Sequence, residues 1–442
     1  MLAPRRRRAT QVDRDIPITQ EREFWVLMAY AAALGVFGAF AALAALGIIN
    51  LGGRWSAASS PGWFGGHWWW VAVTAGAGVV VGLLRRLTRL PEAVPGLFED
   101  LRAGRVAPGS VPGTMAVSAV SLIGGASVGP EKVLASMGGG FGGWMAQRRG
   151  LCEENSEVNS LAGIAGIFGG LFSSPVIVVM LILEVARPGG RRFSKTLATD
   201  IVAGSVSFGI YFAIAGAVFL GAYHVPRYTF EDWQLLAGVP LGLFGALVTA
   251  LAAGFGMLAS RLFGRLQVPP VVKSTLGGVM FGIVGVALPL TMFSGGAQLA
   301  SVLKDAGTLG LGLCIAILLA KMLSYAVSQA SGFVGGPIFP SLFIGGTGGV
   351  VVHQAIPGVP LGLAFSCLVT AVLGSLAAAP FAMVLMAALL TRVGPLQTFP
   401  ILIAVVTAFL GVEGVKYALA GARAVALTAA VRSWAPHGTG PR

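Results

Sequence analysis

Residues 331–344 read Ser-Gly-Phe-Val-Gly-Gly-Pro-Ile-Phe-Pro-Ser-Leu-Phe-Ile, and this stretch decides the fold class. The stretch is apolar, yet glycine and proline interrupt it repeatedly. The apolar, glycine-rich segment Leu342–Val351 overlaps its end and continues beyond it. Glycine and proline in such positions break a helix. Inside a membrane, irregular backbone is tolerated only where it is buried in protein or lines a cavity. The stretch therefore predicts an all-α membrane protein with a broken helix beside a pathway.

A second stretch has the same organisation. Residues 123–131 read Ile-Gly-Gly-Ala-Ser-Val-Gly-Pro-Glu and are followed by the glycine-rich segment Met137–Trp144. Each stretch has a further break downstream, at 169–175 and at 374–380, in which glycine precedes proline by six positions. Broken helices at matching positions of two halves are typical of structural repeats in transporters. The sequence therefore predicts one repeat at residues 65–220 and a second at residues 230–425.

The composition supports a membrane location for most of the chain. Of the 442 residues, 55% are hydrophobic and only 11% are charged, which is too little charge to cover the surface of a soluble protein of this length. Apolar runs of the length needed to span a bilayer, about 20 residues, recur between residues 24 and 425. These residues are the predicted membrane domain, with tails at 1–23 and 426–442. The three cysteines form no ligand cluster, and no cofactor or metal is expected.

The net charge of +13 is distributed as in a multi-pass membrane protein. Basic residues cluster in the two tails and in short loops between apolar runs, at 5–22, 85–105, 148–149, 187–195, 261–273 and 423–442. Cytoplasmic loops carry such an excess of Lys and Arg. The expected location is therefore a bacterial plasma (inner) membrane, with both termini in the cytoplasm and lipid as the surrounding partner. The distribution argues against nucleic acid as a partner.

Broken helices supply a specific kind of chemistry. A helix N-terminus presents unpaired N–H groups and the positive end of the helix dipole. Two such ends inside a membrane make an anion site without a full positive charge. A full positive charge at that place could hold the anion too firmly for release. The sequence therefore favours an anion pathway. An enzyme is not favoured, because the sequence has no HExxH motif, P-loop or nucleotide fingerprint.

These motifs resemble those of the CLC chloride channel and transporter family. The resemblance is carried by Gly129-Pro130 in the first break, by residues 331–344, by Ala162–Glu184 and by Phe293–Gly296. It implies a fold of two inverted-topology repeats with broken and re-entrant helices. It also implies a homodimer with one pore per subunit, and chloride or another small anion as the substrate.

The resemblance also implies a set of site residues. The expected anion-binding positions are Thr88, Val128, Gly129, Pro130, Glu131, Gly335, Gly336, Ile338, Phe339 and Tyr417. Val128 stands where the family has its gating glutamate, and Val185 stands where it has an internal glutamate that handles protons. Because valine cannot ionise, the expected function is passive anion conduction. The alternative is a proton-coupled antiporter that uses another carboxylate, Glu131 or Glu184.

Several of these positions have a second interpretation. Glu131 is either a displaced gate or an ordinary acid in the first turn of a helix, where the dipole stabilises a carboxylate. Thr88 either offers a hydroxyl to the anion or lies in a cytoplasmic loop. Pro337 has no N–H, so one expected donor of the second break is lost, although proline is also common at a helix start. Tyr417 is either a pore donor or an interfacial anchor of the last helix.

Overall fold

The structure is a computed structural model that describes residues 18–58, 68–91, 93–216, 219 and 221–433. The predicted tails lie largely outside these residues, at 1–17 and 434–442. The described chain is helical, with these elements: α1 Arg22–Ala58, α2 Trp69–Leu87, α3 Leu97–Ala103, α4 Val111–Ile123, α5 Glu131–Arg148, α6 Glu153–Leu171, α7 Pro175–Ala186, α8 Gly190–Ala215, α9 Trp233–Arg265, α10 Pro270–Ala287, α11 Gly296–Lys304, α12 Leu311–Ala330, α13 Ile338–Ala355, α14 Leu361–Ala377, α15 Pro380–Thr391 and α16 Thr398–Ser433.

Many of the helices are long and apolar enough to cross a bilayer. Within the described residues there are seven candidate spans: Arg22–Leu51, Trp69–Leu87, Gly190–Ala215, Trp233–Arg265, Pro270–Ala287, Leu311–Ala330 and Thr398–Leu419. Four further apolar helices are shorter than a bilayer requires: Pro108–Ile123, Pro175–Ala186, Leu361–Ala377 and Pro380–Thr391. The predicted all-α membrane fold with broken helices is confirmed.

The two halves of the chain are built alike. Helices α5 and α13 both have 18 residues, and α7 and α15 both have 12. The packing also repeats: α5 lies on α6 as α13 lies on α14, and α1 contacts α6 and α8 as α9 contacts α14 and α16. Helices α2 and α10 occupy matching places in the halves and pack on each other. The fold is thus a pair of repeats, while the exact boundaries at 65–220 and 230–425 stay a prediction.

The breaks predicted from glycine and proline are helix starts. Helix α5 begins directly after Pro130 and α13 directly after Pro337, while α7 and α15 begin at Pro175 and Pro380. Proline has the φ of a helix and lacks the N–H that a first turn would leave unpaired, so it favours a start and prevents continuation of the preceding helix. Four helices therefore begin inside the apolar part of the chain.

Glycines let the helices of the first half approach closely. Helices α5 and α6 cross at Gly138 and Gly163, and a Cβ atom added to Gly163 would lie 2.7 Å from the Gly138 carbonyl carbon. Helices α6 and α8 cross in the same way at Gly169 and Gly204. Small residues at such crossings allow the backbone-to-backbone packing that holds membrane helices together.

We expect Gly163→Ala to lower the thermal unfolding temperature of the purified protein. The added methyl group meets backbone, which cannot rotate away, and overpacking of this kind costs about 1–3 kcal/mol. Gly76→Ala is the matched control, because Gly76 lies in α2 with no atom within 4 Å of its added Cβ. The control should melt unchanged or slightly higher, since alanine favours helix. Equal melting of the two variants would contradict this account of the crossing.

Candidate functional site

The two breaks meet in the interior of the protein. The Gly129 N–H donates to the Gly336 carbonyl at 2.9 Å, and the Gly336 N–H donates to the Gly129 carbonyl at 2.7 Å. Two serines add cross-links between the halves: Ser121 Oγ accepts from the Val334 N–H, and Ser328 Oγ accepts from the Ser127 N–H, both at 3.2 Å. The starts of α5 and α13 are therefore held side by side.

The side chain of Glu131 lies between these two helix starts. Glu131 is the first residue of α5 and is fully buried. Its Oε1 atom accepts a hydrogen bond of 2.6 Å from the N–H of Phe339, the second residue of α13. Its Oε2 atom is buried and has no hydrogen-bond partner among the described residues. A carboxylate from one repeat thus occupies the N–H group that the other repeat would offer to an anion.

Proline reduces the number of donors at the start of α13. Pro337 and Pro340 have no N–H, and the Ser341 N–H is bonded to the Pro337 carbonyl at 3.0 Å. The first turn therefore offers the N–H groups of Ile338 and Phe339, and Glu131 already takes the second of them. Any anion at this helix start would have to compete with the Glu131 carboxylate for the same donor.

Val128 and Val185, the two valines expected at positions of ionisable residues, are both buried. Val128 is fully buried, and its side chain packs directly against Gly335. A Cβ atom added to Gly335 would collide with the Val128 side chain. Val185 is 5% exposed in α7. Its neighbour Glu184 accepts hydrogen bonds from the N–H groups of Phe381 at 3.0 Å and Ala382 at 2.7 Å, at the start of α15. Glu184 therefore caps α15 much as Glu131 caps α13.

The structure does not bring Thr88 or Tyr417 to the breaks. Thr88 is the exposed residue that follows α2, and its Oγ1 donates to the Leu84 carbonyl at 2.7 Å, so its hydroxyl proton is already used by the end of that helix. Tyr417 is 84% exposed, because α16 runs without a break past this position to Ser433 and leaves the side chain on the outer surface. Of the ten predicted positions, the other eight lie at the starts of α5 and α13.

A cavity of about 370 Å³, here called the Tyr325 cavity, adjoins the second break. Its walls include Gly335, Pro337, Tyr325 and Gln329. They also carry three cationic side chains and one carboxylate, namely Arg85, Arg102, Lys132 and Glu99. Tyr325 and Gln329 are one helical turn apart in α12, with Gln329 Nε2 3.2 Å from the Tyr325 hydroxyl. Positive walls attract anions into such a cleft. The cavity therefore places an excess of positive charge next to the start of α13.

Lys132 is held in this wall by a carboxylate. It lies next to Glu131 in the first turn of α5, is 4% exposed, and forms an ion pair with Asp100 of α3. Burial raises the pKa of the Asp100 carboxyl, while the adjacent Lys132 ammonium acts in the opposite direction. A buried ion pair of this kind contributes more to position than to net stability. It fixes the start of α5 against α3.

A second buried lysine supports the first break from the other side. Lys321 of α12 is fully buried, and its Nζ donates to the carbonyls of Phe293 at 2.7 Å and Thr291 at 3.1 Å. The Phe293 N–H in turn donates to the Gly125 carbonyl at 3.1 Å. The ammonium group also lies 5.1 Å from the ring centre of Phe343 in α13. Lys321 therefore ties α12, the 291–293 loop and the first break together.

Sequence reasoning missed Lys321, Asp100 and Tyr325. The available signal was the presence of a charge in an apolar segment, since an ionisable residue at membrane depth is a functional candidate by default. Lys321 is such a residue in α12. Tyr325 follows it by one turn and carried no signal of its own.

Three comparisons with known proteins bear on this geometry. The family model described as "Voltage gated chloride channel" matches residues 76–412. Among curated relatives, the Salmonella choleraesuis protein named "Putative ion-transport protein YfeO" is 28% identical over 316 residues, which cover 68% of this chain and 72% of that protein. The Escherichia coli protein of the same name is 28% identical over 312 residues, covering 68% and 71%.

Solved structures share the fold. A slow cyanobacterial Cl⁻/H⁺ antiporter superposes with a TM-score of 0.77 at 17% identity, covering 88% of this chain and 94% of that one. A CLC-type fluoride/proton antiporter superposes with a TM-score of 0.71 at 18% identity, covering 88% and 95%. Both superpositions extend over nearly nine-tenths of this chain and over more of the other chain.

Proposed function

Because this chain belongs to the voltage-gated chloride channel family, and its function is therefore anion transport, we propose that it conducts chloride or a similar small anion through the space between the starts of α5 and α13, with Glu131 as its gate. The anion binds where the Glu131 carboxylate now accepts from the Phe339 N–H. Protonation of Glu131 removes the competing charge and admits the anion, so flux rises as the pH falls.

One observation carries this proposal: Glu131 is fully buried, and its carboxylate reaches across to the other repeat to accept from the Phe339 N–H. An acid that only stabilised the first turn of α5 would have no need to reach α13. The carboxylate lies at an end where the helix dipole favours negative charge, and this is also where a transported anion is most stable. Of the two interpretations of Glu131, we therefore adopt the displaced gate.

Passive conduction is the favoured mode, and proton-coupled exchange is the second candidate. Exchange needs a group that carries protons between Glu131 and the cytoplasm, and Val185 cannot ionise. The observation that favours exchange is Glu184, a half-buried carboxylate at the end of α7 that caps α15. Two solved structures of this fold are named as proton antiporters, although a similarity at this level of identity concerns the fold alone.

The test is chloride efflux from proteoliposomes with the external pH recorded at the same time. Passive conduction predicts efflux that requires a potassium shunt to balance charge and that moves no protons. Proton movement in a fixed ratio to chloride would replace conduction by exchange. Vesicles loaded with fluoride or nitrate test the substrate in the same assay. Absence of flux for every anion at pH 4.5 and at pH 7.5 would contradict the proposed function.

The proposal also includes a cellular location and an oligomeric state. The proposed location is the plasma membrane of a bacterium, with the two tails, residues 1–23 and 426–442, in the cytoplasm. A homodimer is proposed as well, with exposed apolar side chains on α7, α15 and α16, such as Val176, Phe381 and Leu410, as the contact surface. Cross-linking of cysteine pairs introduced at these positions, in membranes, tests the dimer.

A further inference from the structure

A second cavity, here called the Lys273 cavity, lies beside the Tyr325 cavity and has a volume of about 280 Å³. It is formed where the end of α2, the start of α10 and the end of α12 meet. The basic segments 85–105 and 261–273 place this end of the helices on the side that the positive-inside rule assigns to the cytoplasm. The proposed anion pathway does not use this cavity.

The walls of the Lys273 cavity are strongly basic. They include Arg85, Arg86, Arg89 and Lys273, and no carboxylate of the described residues lines the cavity. Arg85 is buried and donates to the carbonyls of Gly332 at 2.9 Å and Pro91 at 2.6 Å. The other three cations of the wall, Arg86, Arg89 and Lys273, form no ion pair with any described residue. Positive charges grouped in this way repel one another unless an anion lies among them.

The position of Lys273 strengthens this argument. It lies in the first turn of α10, where the helix dipole is positive and a lysine is unfavourable. Ser274, the next residue, is buried and bonds the Ser331 carbonyl at 2.9 Å, so this turn is fixed against the end of α12. An anion held at this point would be stabilised both by the helix start and by the cations opposite.

The size and the kind of the cations indicate a phosphate group. A cavity of this volume is large for a single halide, and planar guanidinium groups match the paired oxygens of phosphate. The surroundings indicate a lipid as the source. Leu266 lines the cavity, and Leu262 and Val272 nearby are 51% and 43% exposed, on helices that span the membrane. Basic pockets between membrane helices on the cytoplasmic side hold anionic head groups.

We propose that the Lys273 cavity binds the phosphate group of an anionic phospholipid from the cytoplasmic leaflet. The same chemistry would accept a soluble phosphate, which the experiment below distinguishes. Arg85 forms part of the wall of both cavities and bonds Gly332, which leads into the second break. The bound head group therefore steadies the segment from which α13 starts.

The test is thermal unfolding of the purified full-length protein in an uncharged detergent. Short-chain phosphatidylglycerol should raise the unfolding temperature by about 3–6 °C, because a ligand that binds only the folded state stabilises it. Short-chain phosphatidylcholine, whose head group carries no net charge, should not raise it. Inorganic phosphate at matched ionic strength is the third arm. A rise with phosphate as large as that with phosphatidylglycerol would assign the site to a soluble phosphate.

Variants connect the effect to this cavity. Arg86→Gln combined with Lys273→Gln should remove most of the rise, while Arg148→Gln combined with Arg149→Gln, two exposed cations at the end of α5, should keep it. The single variant Lys273→Gln serves if the double variant does not fold. A full rise in the Lys273 variants, or no rise with either phosphate compound, would overturn the proposal. Because no transport is measured, failure of the proposed function would leave this result intact.

Discussion

Replacing Glu131 by glutamine is expected to make anion flux independent of pH and to raise it about tenfold at pH 7.5. The amide oxygen can still accept from the Phe339 N–H, so the local geometry is kept. A neutral acceptor holds that donor less strongly than a carboxylate, by about 1.5 kcal/mol, which corresponds to the tenfold change. At pH 4.5 the variant and the natural protein should carry similar flux. Initial rates of chloride efflux from proteoliposomes between pH 4.5 and pH 8 give both comparisons.

Glu184→Gln is the matched control for this experiment. The substitution is the same, and Glu184, like Glu131, lies in the first half of the chain and caps a helix of the second half. The helix that Glu184 caps is α15, whereas Glu131 caps α13. The control should keep the pH dependence of the natural protein. If Glu131→Gln keeps that dependence, or if Glu184→Gln alone removes it, Glu131 is not the gate.

Lys321→Met is expected to destabilise the protein by about 2–5 kcal/mol. Methionine has a similar length, but it leaves the carbonyls of Thr291 and Phe293 without the donor that now bonds them in the interior. Leaving a buried polar group unpaired costs about 1–3 kcal/mol each. The 291–293 loop should also loosen from Gly125, to which the Phe293 N–H binds.

Thermal unfolding in detergent measures this loss, with Lys304→Met as the control. Lys304 ends α11 and is exposed, so its replacement should leave the unfolding temperature nearly unchanged. Hydrogen exchange of the 289–296 segment should rise in Lys321→Met and not in the control. An unchanged unfolding temperature in Lys321→Met would mean that the two carbonyls find other donors.

Local signals in the sequence accounted for the breaks and for the similarity of the halves. Proline at positions 130, 337, 175 and 380 determines where helices begin, and this effect acts over only a few residues. The resemblance placed Gly129, Glu131, Gly336 and Phe339 in one site, and the structure brings these residues together.

Pairings between distant residues could not be predicted in the same way. Glu131 and Phe339 are 208 positions apart, and nothing local indicates which helix start a buried carboxylate will cap. The pairing of Lys132 with Asp100 has the same origin. Tyr417 shows the opposite case: a short motif match indicated a pore residue, but the segment from 401 to 433 contains no proline, and α16 continues through it as one helix.

The bridge between Gly129 and Gly336 has a consequence for the internal symmetry of the protein. Each half contributes one N–H and one carbonyl to it, from equivalent positions of two repeats of similar design. A single half of this kind could close the same bridge only with a second copy of itself in the opposite orientation. In this bridge the two halves are therefore related as the two subunits of a symmetric dimer would be. The two halves are not identical, however, because only the first carries a carboxylate at this helix start.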